Sequence, residues 1–317
     1  MHAAVLHAYG EAPKFDSLPM PTPQAGQALI KMEAASIKQL DKIKASGKHY
    51  TRYAQFPTAV GVDGVGRLES GERVYAMGVS GMLAEYAVVS LADCVPVPEG
   101  LDAGLAAVLP NALLGSDAAL LCRAQFQVGQ TVLINGATGV SGRMAVQAAR
   151  LRGANKIIAT GRNAQALDAL RDLGADQCIS LLADPAHIQA QLLKIQQQTP
   201  IDVVLDYLWG EPMLWLLAAF KQHCPKPVNI VTIGQMAGAE INLPSGVLRS
   251  QPIQILGSGL GSINSEQLRQ YNLEQLTYMF DQAMQGKLSA GYQAFLCKKS
   301  SRLGRLKLHL GCARLYV

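Results

Sequence analysis

The sequence predicts an α/β protein in which a doubly wound parallel sheet is joined to a β-rich domain. Short apolar runs dominate the first hundred residues, whereas strand and helix patterns alternate later in the chain. A glycine-rich turn joins one of these later strands directly to a helix. Alternation of this kind indicates a parallel sheet with helices on both faces, and 317 residues are enough for two domains.

The first hundred residues are expected to form a small barrel or sandwich of short strands. Their apolar runs are separated by Gly and Pro, a pattern typical of strands and turns. A helix is predicted over 37–45. We assign residues 1–112 and 258–317 to this β-rich domain, and residues 113–257 to the parallel-sheet domain. The strands are predicted at 3–6, 27–33, 64–68, 73–75 and 85–89.

The second domain is predicted from its alternating pattern. An Ala- and Leu-rich stretch at 103–124 predicts a helix before the alternating segments, and residues 265–286 predict a helix after them. A further strand is predicted at 253–256. Strands that alternate with helical segments are typical of βαβ units. The remaining strands are predicted at 131–135, 156–160, 203–206 and 228–233, and the helices at 140–152, 164–173, 186–197 and 211–221.

The turn after the strand at 131–135 has the glycine spacing of a dinucleotide-binding site. The first glycine of such a turn allows the chain to reverse, and the second lets backbone N–H groups approach a pyrophosphate. The third lets the helix pack closely on its strand. The helix N-terminus then presents unpaired donors to the phosphates. The predicted contacts are Gly136, Ala137, Thr138, Gly139, Val140 and Gly142.

The turn after the second strand indicates which dinucleotide binds. It reads Thr160, Gly161 and Arg162, and it lacks the Asp or Glu that would accept hydrogen bonds from a ribose 2′-hydroxyl. Arg162 could pair with a 2′-phosphate instead. We therefore predict NADPH rather than NADH as the cofactor. The alternative is that Arg162 is an ordinary exposed residue at the start of a helix.

Further cofactor contacts are predicted where other strands end. Ligands of open α/β sheets lie outside the carboxyl ends of the strands, so residues there are plausible cofactor neighbours. The alternative for each is a simple connection between a strand and a turn. The predicted contacts are Asp206, Tyr207, Ile233, Gly234, Gln235, Gly257 and Asn111.

Composition excludes several other classes of protein. Six scattered cysteines without a CxxC pair favour reduced thiols in the cytoplasm over a disulfide framework. We see no signal peptide and no run of about eighteen apolar residues, so no membrane span is expected. The net charge of +5 comes from 298–317, which carries six Lys and Arg and no acid. We therefore expect no nucleic-acid-binding face, and read this segment as solvated or as a phosphate- or partner-binding tail.

Several motifs together resemble the medium-chain dehydrogenase/reductase superfamily, and within it the zinc-free quinone oxidoreductase branch. The resemblance covers about residues 1–288 and implies a GroES-like catalytic domain beside a Rossmann domain. It also implies a homodimer paired through a strand at about 250–257, although an ordinary sheet strand is the alternative there. The motifs are AASIKQLD at 34–41, PTAVGVDGVG at 57–66, GERVY at 71–75, AEYAV at 84–88 and LGAD at 173–176.

Departures from the zinc-containing relatives are as informative as the matches. The positions of their catalytic zinc ligands fall on Lys38, Val62 and about Asn111, which lack the thiolate and imidazole groups that such a zinc prefers. The four-cysteine lobe that holds a structural zinc is missing as well. We therefore expect no metal and no alcohol oxidation. Residues 295–317 do not resemble the helix and strand with which relatives end.

The resemblance implies that NADPH reduces a quinone or an α,β-unsaturated carbonyl, both of which accept hydride without a metal. Tyr50, Tyr53 and Lys38 are candidate donors to the developing oxyanion, and Tyr50 is expected to line the substrate pocket. Lys38 is more readily read as a solvated lysine, and Asp41 as a residue that fixes its loop by hydrogen bonds. No indispensable acid–base residue is expected.

Two other functions stay open at this stage. One is reduction of enoyl thioesters or alkenals, for which Lys42, Lys44, Lys48 and Arg52 could frame an anionic group. The other is an NADPH-binding sensor or structural protein with vestigial activity.

Overall fold

A computed structural model describes residues 1–49, 51–259, 261–295 and 311–315, with backbone alone for 294, 295 and 311–315. The chain forms two compact units. The first unit comprises Met1–Pro110 and Arg269–Val317, and the second comprises Asn111–Leu268.

Strands and helices are numbered in chain order. The strands are β1 (His2–Leu6), β2 (Lys14–Ser17), β3 (Gln27–Ile37), β4 (Thr58–Ala59), β5 (Asp63–Leu68), β6 (Arg73–Met77), β7 (Tyr86–Ser90), β8 (Val95–Pro96), β9 (Thr131–Asn135), β10 (Lys156–Gly161), β11 (Gln177–Ser180), β12 (Val203–Asp206), β13 (Val228–Thr232), β14 (Ile253–Gly257), β15 (Tyr292–Phe295) and β16 (Gly311–Leu315). The helices are α1 (Gln39–Ala45), α2 (Ala103–Leu114), α3 (Val140–Leu151), α4 (Ala164–Asp172), α5 (Pro185–Gln198), α6 (Gly210–Gln222), α7 (Ser245–Ser250), α8 (Ser265–Gln270) and α9 (Thr277–Met284). Short π-helical segments lie at Ala119–Arg123 and Tyr271–Leu276, and a 3₁₀ turn lies at Leu91–Asp93.

The first unit is β-rich, as the sequence predicts. Within the described residues, β2, β1 and β4 form one sheet, and the order β15-β16-β3-β5-β6-β8 forms another, with β7 also paired to β3. Strand β3 is long enough to pair with both β5 and β7. Strands β3 and β5 approach each other closely, because a Cβ at Gly66 would lie 2.3 Å from the Lys31 carbonyl oxygen. Leu6, Ile30 and Met82 lie at the centre of the core.

The second unit confirms the doubly wound parallel sheet. The strand order is β11-β10-β9-β12-β13-β14, and all neighbouring pairs are parallel. Successive residues of a strand point to opposite faces, so both faces are apolar and covered. In β9, Val132 and Ile134 join one core cluster, whereas Leu133 joins the other.

Several details differ from the sequence-based prediction, and the short elements β2, β4, β8, β15 and α7 were among those not predicted. Strand β11 was not predicted, because its four residues QCIS show neither a long apolar run nor clear alternation. The two predicted helical stretches at 103–124 and 265–286 each contain a π-helical segment. Strand β16 was not predicted either; it lies parallel to β3, and such a non-local pairing leaves no local sequence signal. Most of the basic segment 298–317 lies outside the described residues.

Among the described residues, one helical stretch is long and apolar enough to cross a membrane by length and composition. It runs from Ala103 to Arg123, with a mean hydropathy of 1.6, and 67% of its window is buried inside the structure. A buried core helix can have the same length and composition, so these two properties alone do not indicate a membrane here.

Candidate cofactor and active sites

The glycine turn of the second unit has an open, backbone-lined cradle. Gly136 has a φ of +87°, a conformation that favours glycine, and it reverses the chain after β9. A Cβ at Gly142 would lie 2.5 Å from the Cα of Ala137, so only glycine lets α3 pack this closely. A Cβ at Gly139, by contrast, would have no neighbour within 4 Å. The N-terminus of α3 is therefore accessible to an anionic ligand such as a pyrophosphate.

A buried hydrogen-bond network holds this turn. Asn135 donates from Nδ2 to Asp206 Oδ1 at 2.8 Å and accepts from the Thr160 hydroxyl at 2.7 Å. Thr160 Oγ1 in turn accepts from the Gly136 N–H at 3.0 Å. The ends of β9, β10 and β12 are thereby joined. The side chains of Thr160 and Asp206 are buried, and their hydrogen bonds to Asn135 hold the turn in place.

Asp206 also organises the loop that follows β12. Its carboxylate accepts from the N–H groups of Leu208 at 3.1 Å and of Trp209 at 3.1–3.2 Å. Burial raises the pKa of this carboxyl, and the hydrogen bonds oppose that rise. Trp209 has a φ of +52°, which a non-glycine residue rarely adopts. A strained backbone of this kind persists where surrounding contacts hold it in place. Here the hydrogen bonds to the Asp206 carboxylate hold it.

A pocket of about 340 Å³ lies at the carboxyl ends of β12 and β13. Its volume falls in the range of small-molecule sites, which runs from about 300 to 1,000 Å³. The lining combines an indole ring with an amide, a hydroxyl and a glycine backbone. The residues are Trp209, Thr232, Ile233, Gly234, Gln235 and Ala239. Three of the predicted cofactor neighbours, Ile233, Gly234 and Gln235, thus line a single cavity.

Arg162 lies between the end of β10 and the start of α4. Its side chain is exposed, and within the described part of the chain it forms no salt bridge. The preceding Gly161 is buried against Thr138, whose Cγ2 would lie 2.4 Å from an added Cβ. Asn163 caps α4 by accepting from the Ala166 N–H at 2.9 Å. The backbone that precedes Arg162 therefore lies against the glycine turn.

Two of the remaining predicted cofactor residues, Tyr207 and Gly257, form hydrogen bonds within the second unit. The buried Tyr207 donates its hydroxyl to the Gly115 carbonyl at 2.5 Å, and burial raises its pKa. Gly257 accepts at its carbonyl from Arg123 Nε at 2.7 Å. Asn111 lies half-buried within α2.

A second polar cluster lies in the first unit, around Lys38. The Lys38 ammonium forms a salt bridge with Asp63 and donates to Ser36 Oγ at 2.9 Å. Tyr75 donates its hydroxyl to the other Asp63 oxygen at 2.9 Å. Lys38 is 5% exposed, so the prediction of a solvated lysine is wrong. The physical reason is that a buried carboxylate such as Asp63 needs a counter-charge.

Asp41 fixes its loop by hydrogen bonds, as expected from the sequence. One carboxylate oxygen accepts from the Lys38 N–H at 2.7 Å and the other from the Val62 N–H at 3.0 Å. Burial raises the pKa of Asp41 most; nearby Asp63 adds to the rise, and the Lys38 ammonium opposes it. The cluster therefore ties the start of α1 to the segment that leads into β5.

Of the two tyrosines predicted near the substrate, the structure describes only Tyr53. Tyr50 lies outside the described residues. Tyr53 is held by Tyr9, whose hydroxyl accepts from the Tyr53 N–H at 2.7 Å. The Tyr53 hydroxyl is buried without a hydrogen-bond partner in the described structure. Burial, followed by the charges of Asp41 and Tyr9, raises the pKa of Tyr53 to about 12.

The described residues contain no group of three or more His, Cys, Asp or Glu side chains that could hold a metal ion. Of the positions that correspond to zinc ligands in the relatives, Lys38 is salt-bridged and Val62 is buried. The donors present suit an internal ion pair rather than the thiolate and imidazole ligands of a catalytic zinc.

Comparison with known proteins gives consistent matches. Residues 141–277 match the family model described as zinc-binding dehydrogenase. A probable NADPH-dependent quinone reductase of Emericella nidulans is 28% identical over 311 residues, which span 84% of this chain and 87% of that protein. A chloroplastic NADPH-dependent alkenal/one oxidoreductase of Arabidopsis thaliana is 32% identical over 203 residues, 56% of this chain and 52% of that protein.

Solved structures share the architecture. The quinone oxidoreductase of Thermus thermophilus, described also in complex with NADPH, superposes with a TM-score of 0.72. It is 27% identical, and the match covers 93% of this chain and 92% of that one.

Sequence reasoning missed several residues of these sites, namely Asn135, Trp209, Ser36, Asp63 and Tyr75. A signal existed for Asp63, which is the one acid in the apolar segment 57–66 and therefore calls for a partner. No local pattern marks Trp209, whose importance follows from its backbone conformation and its place in the pocket.

Proposed function

We propose, since this chain belongs to the medium-chain dehydrogenase/reductase superfamily and to its quinone oxidoreductase-like branch, that it is an NADPH-dependent oxidoreductase acting on quinones or α,β-unsaturated carbonyls. The observation that carries the proposal is the open glycine turn at 136–142 together with Arg162 in the neighbouring turn. Among the described residues Arg162 forms no salt bridge, and its turn contains no acid. Relatives named as NADPH-dependent quinone and alkenal/one reductases support both the cofactor and the substrate class.

The cofactor is assigned to the second unit. The backbone N–H groups of 137–140 would hold the pyrophosphate, and Arg162 would pair with the 2′-phosphate. The pocket lined by Trp209 and Gln235 would hold the nicotinamide half, since it opens one strand beyond the glycine turn. Asn111 and Gly257 remain proposed contacts of the cofactor. When bound, NADPH supplies the hydride.

The protein residues are assigned orienting and electrostatic roles. Quinones and enones are already electrophilic, and conjugation stabilises the oxyanion formed when they accept hydride. Positioning of the substrate then supplies much of the rate. Tyr50 is proposed to contact the substrate, and Lys38 and Asp41 to hold the segment before it. The salt bridge between Lys38 and Asp63 supports a positioning role for Lys38 rather than a proton-donating one.

The proposal is tested by following NADPH oxidation with para- and ortho-naphthoquinones, an alkenal and an enoyl thioester. Turnover of a quinone or enone with NADPH, and much weaker turnover with NADH, is the expected result. Tight NADPH binding without turnover of any of the four would instead favour a sensor or structural role.

A cytoplasmic homodimer is proposed as the working form. Strand β14 lies at the edge of the six-stranded sheet, so its outer backbone groups are available for pairing with a second copy. The cysteines for which the structure describes a state are free thiols, which suits a reducing compartment. Cell fractionation and light scattering would test the two parts separately.

A further inference from the structure

The pocket at the carboxyl ends of β12 and β13 lies within the second unit and has one aromatic wall. Among the described residues that line it, none carries a charge, and Trp209 supplies the one aromatic ring. The face of an indole carries partial negative charge and attracts cations, more strongly than the face of any other aromatic side chain. The pocket is therefore suited electrostatically to a flat ring that bears a positive charge.

The Trp209 side chain is supported by the core of the second unit. It is half-buried and packs against the apolar cluster to which Met213 and Leu216 of α6 belong. The same side chain lines the pocket. Cation–π contacts are stronger where water is excluded than at exposed sites. A ring bound in this pocket would therefore meet an indole that is already partly removed from water.

The backbone on both sides of Trp209 is fixed by other parts of the second unit. The Trp209 N–H donates to the two Asp206 carboxylate oxygens at 3.2 and 3.1 Å. The loop after β13 pairs with this segment, since the Ala237 N–H donates to the Leu208 carbonyl at 2.8 Å. A Cβ at Gly210 would lie 2.8 Å from the Ala237 carbonyl, so the two loops are in close contact. Little ordering of the protein is then needed when a ligand binds, which favours affinity.

Nearby carboxylates do not take the place of the indole. Asp206, Glu211 and Glu240 are close in sequence to lining residues, but none of them is among the described residues that line the pocket. Asp206 is fully buried, and its oxygens already accept from Asn135, Leu208 and Trp209. Glu211 and Glu240 are exposed, where water and salt screen their charges. The indole face is thus the group that would attract a cation here.

We propose that Trp209 binds the oxidised, positively charged nicotinamide ring of the cofactor more tightly than the reduced, neutral ring. Both forms carry the same pyrophosphate and 2′-phosphate, so the ring alone distinguishes them. Only the cationic ring gains the attraction to the indole face. An interaction that strengthens as positive charge develops on the ring also favours loss of hydride from the cofactor. The inference rests on the proposed NADPH-dependent function, which assigns the nicotinamide half to this pocket.

The test compares the Kd of NADPH with the Kd of NADP⁺ by calorimetric titration. Trp209→Leu should lower the ratio of the first to the second by about 2- to 30-fold, the range that a cation–π contact supplies. Trp209→Phe should give an intermediate ratio, because a phenyl face attracts cations less than an indole face does. The Kd of 2′-phospho-ADP-ribose, which lacks the nicotinamide ring, should be the same for all three proteins. Unchanged thermal melting would show that the variants are folded.

The second tryptophan of the chain provides a matched control. Trp215 lies in α6 and packs against the same core cluster, but it is not among the described residues that line the pocket. Trp215→Leu should leave the ratio of the two dissociation constants at its wild-type value. An equal shift of the ratio in Trp215→Leu and Trp209→Leu would overturn the proposal. Equal losses of affinity for NADPH and NADP⁺ in Trp209→Leu would overturn it as well, since the indole would then contribute packing alone.

Fluorinated tryptophan separates the charge of the indole face from its shape. The chain contains two tryptophans, so Trp209 is the sole one in a Trp215→Phe background. Fluorine atoms withdraw electrons from the ring face and change its shape little, which weakens a cation–π contact selectively. The ratio of the two dissociation constants should therefore fall stepwise as more fluorine atoms are incorporated. A ratio that is independent of fluorination would disprove the cation–π contact.

Failure of this inference can be told apart from failure of the proposed function, because the dissociation constants do not depend on turnover. If the wild-type protein reduces a quinone or an enone with NADPH and the ratio is unchanged in Trp209→Leu, the role of Trp209 is disproved and the reductase function stands. If the ratio shifts as expected but no quinone or enone is reduced, the contact with the oxidised ring stands and the reductase function fails.

Discussion

Single residues decide which charges this protein buries. Lys38 and Asp63 form a salt bridge in the first unit, with Ser36 and Tyr75 completing the contacts. Such a pair contributes little net stability but is costly to break, because the remaining charge is left in a dry environment.

Lys38→Met should therefore lower the free energy of unfolding by about 3–5 kcal/mol. Urea unfolding of the purified protein measures this. Lys42→Met, on the exposed side of α1, is the matched control and should change stability by less than about 0.5 kcal/mol. The double change Lys38→Met with Asp63→Leu should recover most of the loss. Equal effects of the two single variants would show that the salt bridge is not coupled to folding.

Tyr53 links stability to pH. Its pKa is raised from 10.0 to about 12, so the folded state keeps the phenol proton to a higher pH than the unfolded state does. The associated stability is present below pH 10 and is lost as the pH rises towards 12.

Tyr53→Phe should remove this part of the alkaline loss, and it should also stabilise the protein at neutral pH because a buried, unpartnered hydroxyl disappears. Urea unfolding of both proteins at neutral and alkaline pH would show the two effects. A variant that is less stable at neutral pH would mean that the hydroxyl has a partner in solution.

Arg162 is expected to decide between the two nicotinamide cofactors. Arg162→Ala should weaken NADPH binding by about 10- to 100-fold through loss of charge-assisted hydrogen bonds, and leave NADH binding nearly unchanged. Calorimetric titration of both cofactors gives the comparison. Arg171→Ala, an exposed arginine at the other end of α4, serves as control. A parallel loss of NADH affinity would argue against contact with the 2′-phosphate.

At the scale of elements, the connection from β9 to α3 separates folding from ligand binding. Gly142 is needed by the fold because α3 packs on the turn there, whereas Gly139 faces open space. The same substitution at these two positions should therefore have different consequences.

Gly142→Ala should lower both the melting temperature and NADPH affinity, since Ala137 backbone lies 2.5 Å from the new Cβ. Gly139→Ala should leave melting unchanged and reduce NADPH affinity alone, because the added methyl occupies the approach to the phosphates. Differential scanning fluorimetry with and without NADPH distinguishes them. Normal NADPH affinity in Gly139→Ala would place the pyrophosphate elsewhere.

At the scale of the whole molecule, the exposed sheet edge at β14 predicts the oligomeric state. Gln254 is an exposed residue near the middle of this strand. Gln254→Lys should convert a dimer to monomer, since charged lysines on an edge strand oppose pairing between copies. Light scattering after size exclusion measures the mass. Ser180→Lys, on the opposite edge strand β11, is the control and should remain dimeric.

The sequence by itself determined the fold class and the glycine turn, and it led to the prediction that NADPH is the cofactor. These depend on local features: alternation of apolar strands and helices, glycine at fixed spacing, and an arginine where an acid would otherwise stand. Strands β9, β10, β12 and β13 lie where the apolar runs predict them.

Only the tertiary structure decided what the polar residues do. Lys38 is buried rather than solvated because Asp63, 25 positions later, is brought beside it when β3 pairs with β5. Asn135, Thr160 and Asp206 form one network because three strand ends meet at one edge of the sheet. These pairings join residues far apart in sequence, and no local pattern specifies them.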